Sequence, residues 1–127
     1  MTFASDQSLK LTGVKAGADL SAKQWYCVKM ASTAQEVVLN ILASTSGVGI
    51  LQNDPADGEE ALVAVAGVVK AAAETSVSIN DYVAASTTGR VKTTTTDTNE
   101  VVGKALEASS SAGDIITILL TPGTLAG

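Results

Sequence analysis

Four carboxylates crowd one short stretch, Asp54, Asp57, Glu59 and Glu60 in Asn53-Asp54-Pro55-Ala56-Asp57-Gly58-Glu59-Glu60. Such a cluster invites calcium binding or proton sharing. A helical calcium loop, however, alternates Asp and Asn ligands and closes on a distal Glu, and this stretch has neither feature. Turn chemistry accounts for it better: Asx side chains cap backbone amides, Pro55 fixes φ, and Gly58 accepts a positive φ. We read it as a solvated acidic turn and assign no metal ligand. The chain has no histidine. A Ser-His-Asp or Cys-His site within one chain is therefore excluded, and so is the commonest general base. Cys27 is the single cysteine and lies in the apolar run Trp25-Tyr26-Cys27-Val28-Lys29-Met30. It reads as a buried small hydrophobe, with no disulfide and no zinc cluster available. No phosphate-binding or dinucleotide-binding glycine motif is present. The expectation is no catalytic residue, no cofactor and no enzyme.

Composition narrows the class further. The 127 residues carry a net charge of −5, with eight Lys and Arg residues scattered singly. No basic patch exists to neutralise phosphates, so direct nucleic-acid binding is not expected. No apolar run approaches the roughly 20 residues that span a bilayer, and no membrane association is expected. The start, Met1-Thr2-Phe3-Ala4-Ser5-Asp6, has no basic segment followed by an apolar one. We expect synthesis in the cytoplasm without a secretory signal. Hydrophobic residues make up 46% of the chain but aromatics only 3%, so the apolar side chains are small. Such a core buries less area per residue, and a domain of this size has a thin stability margin. Burial between subunits would compensate.

The elements that must carry any site are short β-prone runs between turn signals. Ser8-Leu9-Lys10-Leu11-Thr12 alternates polar and apolar residues, as a half-exposed strand does. Residues 25–30 form a second candidate strand. Residues 36–43 read two ways: Thr33-Ala34-Gln35-Glu36 resembles a helix capping box, whereas the β-branched Val37, Val38 and Ile41 favour the strand we prefer. Residues 60–73 have the same ambiguity, with Ala and Glu favouring helix and four valines favouring strand. We read two strand segments meeting at a bend or bulge at Gly67. Residues 82–85 and 90–93 make a hairpin around Ser86-Thr87-Thr88-Gly89. Residues 93–99 read as a polar loop, and residues 101–108 and 114–120 as a second hairpin. Residues 121–127, with Pro122, read as a frayed tail. The fold class is all-β: a small β-barrel or sandwich of short antiparallel strands, with few or no helices.

These runs carry a family resemblance. Gly49-Ile50-Leu51-Gln52-Asn53-Asp54-Pro55-Ala56-Asp57-Gly58-Glu59-Glu60-Ala61 resembles the G-V-L-Q-N-D-P-A-D-G-E-E-A segment of capsid cement or decoration proteins from tailed-phage head-gene clusters. Val65-Ala66-Gly67-Val68-Val69-Lys70 resembles their V-x-G-V-x-K, and Gly89-Arg90-Val91 their G-R-V. Val102-Gly103-Lys104-Ala105-Leu106-Glu107-Ala108 and Ala112-Gly113-Asp114-Ile115-Ile116 resemble x-G-R-A-L-E-A and x-G-D-x-I. Leu20-Ser21-Ala22-Lys23-Gln24-Trp25-Tyr26 also fits, and the similarity covers about residues 20–120. One departure is Asn80-Asp81, where the family usually has Gly-Asp; Asn tolerates the same left-handed geometry.

The resemblance implies a β-barrel-like virion protein on the outer capsid surface. Its partners would be the major capsid protein and itself, often as a homotrimer, with dimers also known among decoration proteins. Its implied work is to stabilise the head by bridging capsid subunits. We divide the chain into an amino-terminal arm (1–19) that contacts the capsid, one β domain (20–120) and a flexible tail (121–127). Leu9, Lys10 and Leu11 are capsid-contact candidates because an alternating strand can add to a sheet edge. Trp25 is a fourth, because Trp is enriched at interface hot spots. The alternatives are another virion component, such as a head-fibre base or tail component, and a carbohydrate-binding β module. The last would need exposed aromatic platforms, and the chain has only Phe3, Trp25, Tyr26 and Tyr82.

Overall fold

Val, Ile and Thr runs punctuated by Gly, Asn and Asp form nine strands in the computed structural model, which describes residues 7–42, 47–95 and 100–124. The strands are β1 (Gln7–Ala16), β2 (Cys27–Met30), β3 (Glu36–Leu39), β4 (Gly49–Leu51), β5 (Glu60–Ala72), β6 (Tyr82–Ala85), β7 (Val91–Thr93), β8 (Glu100–Ala105) and β9 (Ile115–Thr124). No helix occurs among the described residues. The capping-box reading at residues 33–36 gives way to a turn, with Gln35 at φ 66°, that leads directly into β3.

All nine strands belong to one sheet in the order β1-β3-β2-β4-β5-β9-β8-β6-β7. A further pairing of β1 with β5 closes the first five of these strands into a ring. At the far end, an isolated parallel bridge from Ala73 to Val91 brings β7 back to the chain just after β5. The sheet thus curls into two barrels that share β5. The pairings between strands are antiparallel except β1 with β3.

Each barrel has its own core. Val14, Val28, Val37, Leu51 and Val63 fill the first. Val69, Val83, Val91, Ile116 and Ile118 fill the second. Neighbouring residues on β2, β4 and β5 belong to different cores. Cys27, Ile50 and Ala64 face the second, whereas Val28, Leu51 and Val63 face the first. Successive side chains on a strand point to opposite faces, so these three strands form a wall buried on both sides. Each fully buried Val, Ile or Leu contributes about 1.5–3 kcal/mol of hydrophobic stabilisation.

Residues 60–72 are one strand whose direction of pairing changes at Gly67. Gly67 has φ +97°, a conformation that L side chains resist, and it pairs with both Ser8 and Leu120. Residues before it pair with β1 and β4, Gly67 and Val68 pair with both β1 and β9, and residues beyond Val68 pair with β9. The bulge lies just upstream, where the register skips Val65 between Ala64 and Ala66.

Three boundaries differ from expectation. Residues 7–16, read as part of an arm, are strand β1 of the first barrel, with Val14 and Ala16 buried in its core. The segment read as a frayed tail continues β9 to Thr124, paired with Glu100. Trp25 and Tyr26 precede β2 rather than opening it, because Trp25 turns the chain at φ 77°. That conformation is held from both sides: the Trp25 amide donates to the Leu51 carbonyl at 2.8 Å, and its own carbonyl accepts from the Ala72 amide at 2.9 Å. Asn80 takes φ 76°, the left-handed geometry expected for a residue standing where Gly is usual.

Gly49 makes the closest backbone approach in the shared wall. A Cβ there would lie 1.9 Å from the Ala64 carbonyl oxygen. Gly49→Ala is therefore expected to force β4 away from β5 and cost about 2–4 kcal/mol, the range of a severe packing defect. Urea unfolding followed by circular dichroism measures this; a loss below about 0.5 kcal/mol would contradict the two-barrel packing.

Candidate interaction surface

The acidic turn is committed to holding the backbone. Glu59 accepts from the Ala56 amide at 2.8 Å, and Asp54 accepts from the Gln24 amide at 3.0 Å. Asn53 bridges the strand end, accepting from the Leu62 amide at 3.0 Å and donating to the Glu60 carbonyl at 3.1 Å. Gly58, at φ +84°, donates its amide to the Ala16 carbonyl. The turn therefore ties β5 to the end of β1 and to the Gln24 region. Among the described residues no group of three or more metal-ligating side chains converges.

Cys27 is buried in the second core, and burial pushes its thiol up to about 12. The thiolate that a nucleophile or metal ligand needs is thus strongly disfavoured.

The four contact candidates occupy two places. Leu9 is 66% exposed on β1. Leu11 lies on the same face but packs partly against the first core. Lys10 points to the opposite face and donates to the Ser8 hydroxyl at 3.1 Å. Trp25 is half-buried where β2, β4 and β5 meet. The structure thus groups Leu9, Lys10 and Leu11 on one strand and sets Trp25 at the seam between the barrels.

Several surface groups escaped the sequence reading. Tyr26 has two cations over its ring, Lys23 Nζ at 5.2 Å and Arg90 Cζ at 5.9 Å from the centroid. Arg90 comes from the turn before β7, far away in sequence, and only the fold brings it there. Lys104 lies 5.7 Å from the Tyr82 centroid, across the β6–β8 pairing in which the two residues are direct partners. Ile41, Leu42, Ile79 and Ile115 are exposed apolar residues. Ile115 follows from alternation, because Ile116 and Ile118 are buried; the exposure of Ile79 has no sequence signal we can identify.

Two barrels on a common strand form the all-β scaffold that carries these surface groups. The comparisons with known proteins give the family. A family model for phage cement protein matches residues 5–121, and the chain belongs to that family. It is a structural protein associated with the phage head. No curated protein matches it. Among solved structures it is similar to the head fibre gp8.5 N base of bacteriophage phi29. The identity is 15%, the TM-score 0.71, and the match covers 94% of this chain and 98% of that one. At that identity the likeness establishes a shared fold.

The buried thiol gives a direct check on this picture. Cys27 is expected to resist a thiol-specific disulfide reagent at pH 8 in the native protein and to react fully in denaturant. Rapid labelling of the native protein would show that the wall between the barrels is open to solvent.

Proposed function

We propose that this protein is a cement protein that binds the outer surface of the phage head and stabilises the shell by bridging major capsid protein subunits, as a homotrimer. The family match over residues 5–121 carries this reading. The physical features agree with it. Small side chains fill two cores without large aromatic anchors, and exposed apolar residues such as Leu9 remain available for contact. A protein bound across a joint between capsid subunits adds contacts that must break before the shell opens. Many weak contacts, repeated over the head, sum to a large resistance.

Leu9, Lys10, Leu11 and Trp25 are our candidates for the capsid contact. Leu9 carries the most weight, because at 66% it is the most exposed large apolar side chain among the described residues and it lies on β1. A second reading, the base of a head fibre, draws on the likeness to the phi29 head fibre base. The two differ in position and in whether a further domain is carried, and cryo-microscopy of the virion separates them.

The cement role predicts that heads lacking the protein rupture at a lower temperature than heads saturated with it. Equal rupture temperatures would sink the role. Leu9→Asp is expected to weaken head binding at least about tenfold, or about 1.4 kcal/mol, while leaving the barrels folded. This point change is the sharper test, because deleting residues 1–11 would also remove half of β1. Wild-type binding by a folded Leu9→Asp protein would remove Leu9 from the contact.

A further inference from the structure

We propose that Glu74 is an acid-sensitive clasp on the turn at residues 86–90, which reaches across the seam between the two barrels. Two backbone hydrogen bonds cross this seam, and a third beside them closes the second barrel. The Cys27 amide donates to the Gly89 carbonyl at 2.7 Å, the Ala72 amide to the Trp25 carbonyl at 2.9 Å, and the Glu74 amide to the Val91 carbonyl at 2.7 Å. They join the entry to β2, the exit from β5 and the entry to β7. Gly89 also lies against the side chains of Leu39 and Tyr26, where an added Cβ would come within 3.2 Å of each.

One carboxylate oxygen organises the turn itself. Glu74 Oε1 accepts from the Ser86 hydroxyl at 2.8 Å and from the Thr88 hydroxyl, and it faces Arg90 Nε at 3.9 Å. The Ser86 hydroxyl also accepts from the Thr88 amide at 3.3 Å. Arg90 Nε is buried with no hydrogen-bond partner, so the Glu74 charge is its nearest compensation. The guanidinium reaches across the seam to Tyr26, whose ring it shares with Lys23. Lys92 on β7 adds a second positive charge acting on Glu74. On the neighbouring turn, a Cβ added at Gly113 would lie 3.7 Å from Arg90 Nη1, while the Asp114 carboxylate accepts from the amides of Ser110 and Ser111. Arg90 and Lys92 are thus the charges facing Glu74, with Lys23 beyond the Tyr26 ring.

Protonating Glu74 removes the charge opposite Arg90 and weakens the carboxylate as an acceptor for two hydroxyls. The Thr88 and Ser86 hydroxyls, then Arg90 and Lys92, hold the Glu74 carboxyl below its ordinary value. A depressed folded value stabilises the protein above the ordinary glutamate range. That contribution is lost as pH falls through the lower folded value, so the clasp opens in acid.

The full-length protein carries its own reporter, because Trp25 is the single tryptophan and its carbonyl lies in the seam. Amide exchange by NMR is the primary measurement, corrected for the intrinsic pH dependence, with Trp25 emission as a parallel signal. In the wild type, the Cys27 amide is expected to lose at least about tenfold of its protection between neutral pH and the acid side of the glutamate range, while the Ile118 amide in the second core stays protected. Glu74→Gln should show the faster Cys27 exchange already at neutral pH and no further acid step. Wild-type protection in Glu74→Gln, or an acid step of equal size in it, would overturn the clasp. A second variant, Thr88→Val, guards against loss of folding in the first: it should move the acid step upward in pH, and an unmoved step also overturns the proposal.

Discussion

Everything in this fold depends on β5 having two burial obligations at once. Its first half closes the barrel with β1 and β4, and its second half opens the other barrel with β9. Around Val63 and Ala64 both faces of the strand are therefore buried, and the alternation that marks a half-exposed strand is interrupted there. Ala61, Val63, Ala64, Val69, Ala71 and Ala72 are all buried. A wall shared by two cores must also be thin. Alanine and glycine make it so, at the cost of small buried area per residue. The low aromatic content is thus a packing requirement of the shared strand as much as a general property of the chain.

The same constraint decides what could be read in the sequence. The second-barrel hairpins at residues 82–93 and 100–120 were legible because their turns carry Gly, Ser and Thr between β-branched runs. The strand identity of residues 60–72 was hard to read because a strand buried on both faces and a buried helix share one pattern. Gly67 was legible as a singular position, but its role was not. It changes the partners of a continuous strand rather than separating two strands, and that depends on β1 and β9, which are remote in sequence. The closure of β1 onto β5 was likewise invisible, since no local signal marks a pairing across some 50 residues. Reading residues 1–19 as an arm followed from that gap: alternation was seen at Leu9 and Leu11, but not the strand they pair with.

The surface shows the same division. Exclusion of a Ser-His-Asp or Cys-His site within the chain needed only residue types, since no arrangement can supply a missing histidine. The acidic turn was legible as a turn, though its reach to Gln24 and to the end of β1 appears only in three dimensions. The Tyr26 site joins Lys23, three residues away, to Arg90, which is more than 60 positions downstream. Half of such a site can be inferred from local spacing; the other half is a product of topology.

The seam between the barrels is where the two cores are coupled to each other. Two closed barrels resist shear individually because their strands have few free edges. Load applied to one barrel reaches the other through β5 and through the contacts of the turn at residues 86–90 with Cys27, Tyr26 and Leu39. β5 is continuous, and at Gly67, with φ +97°, it passes from the first barrel to the second. The turn at residues 86–90 lies beside the exit from β5 at Ala72 and Glu74. It thereby adds a second connection between the barrels, made through side chains and backbone remote in sequence from β5.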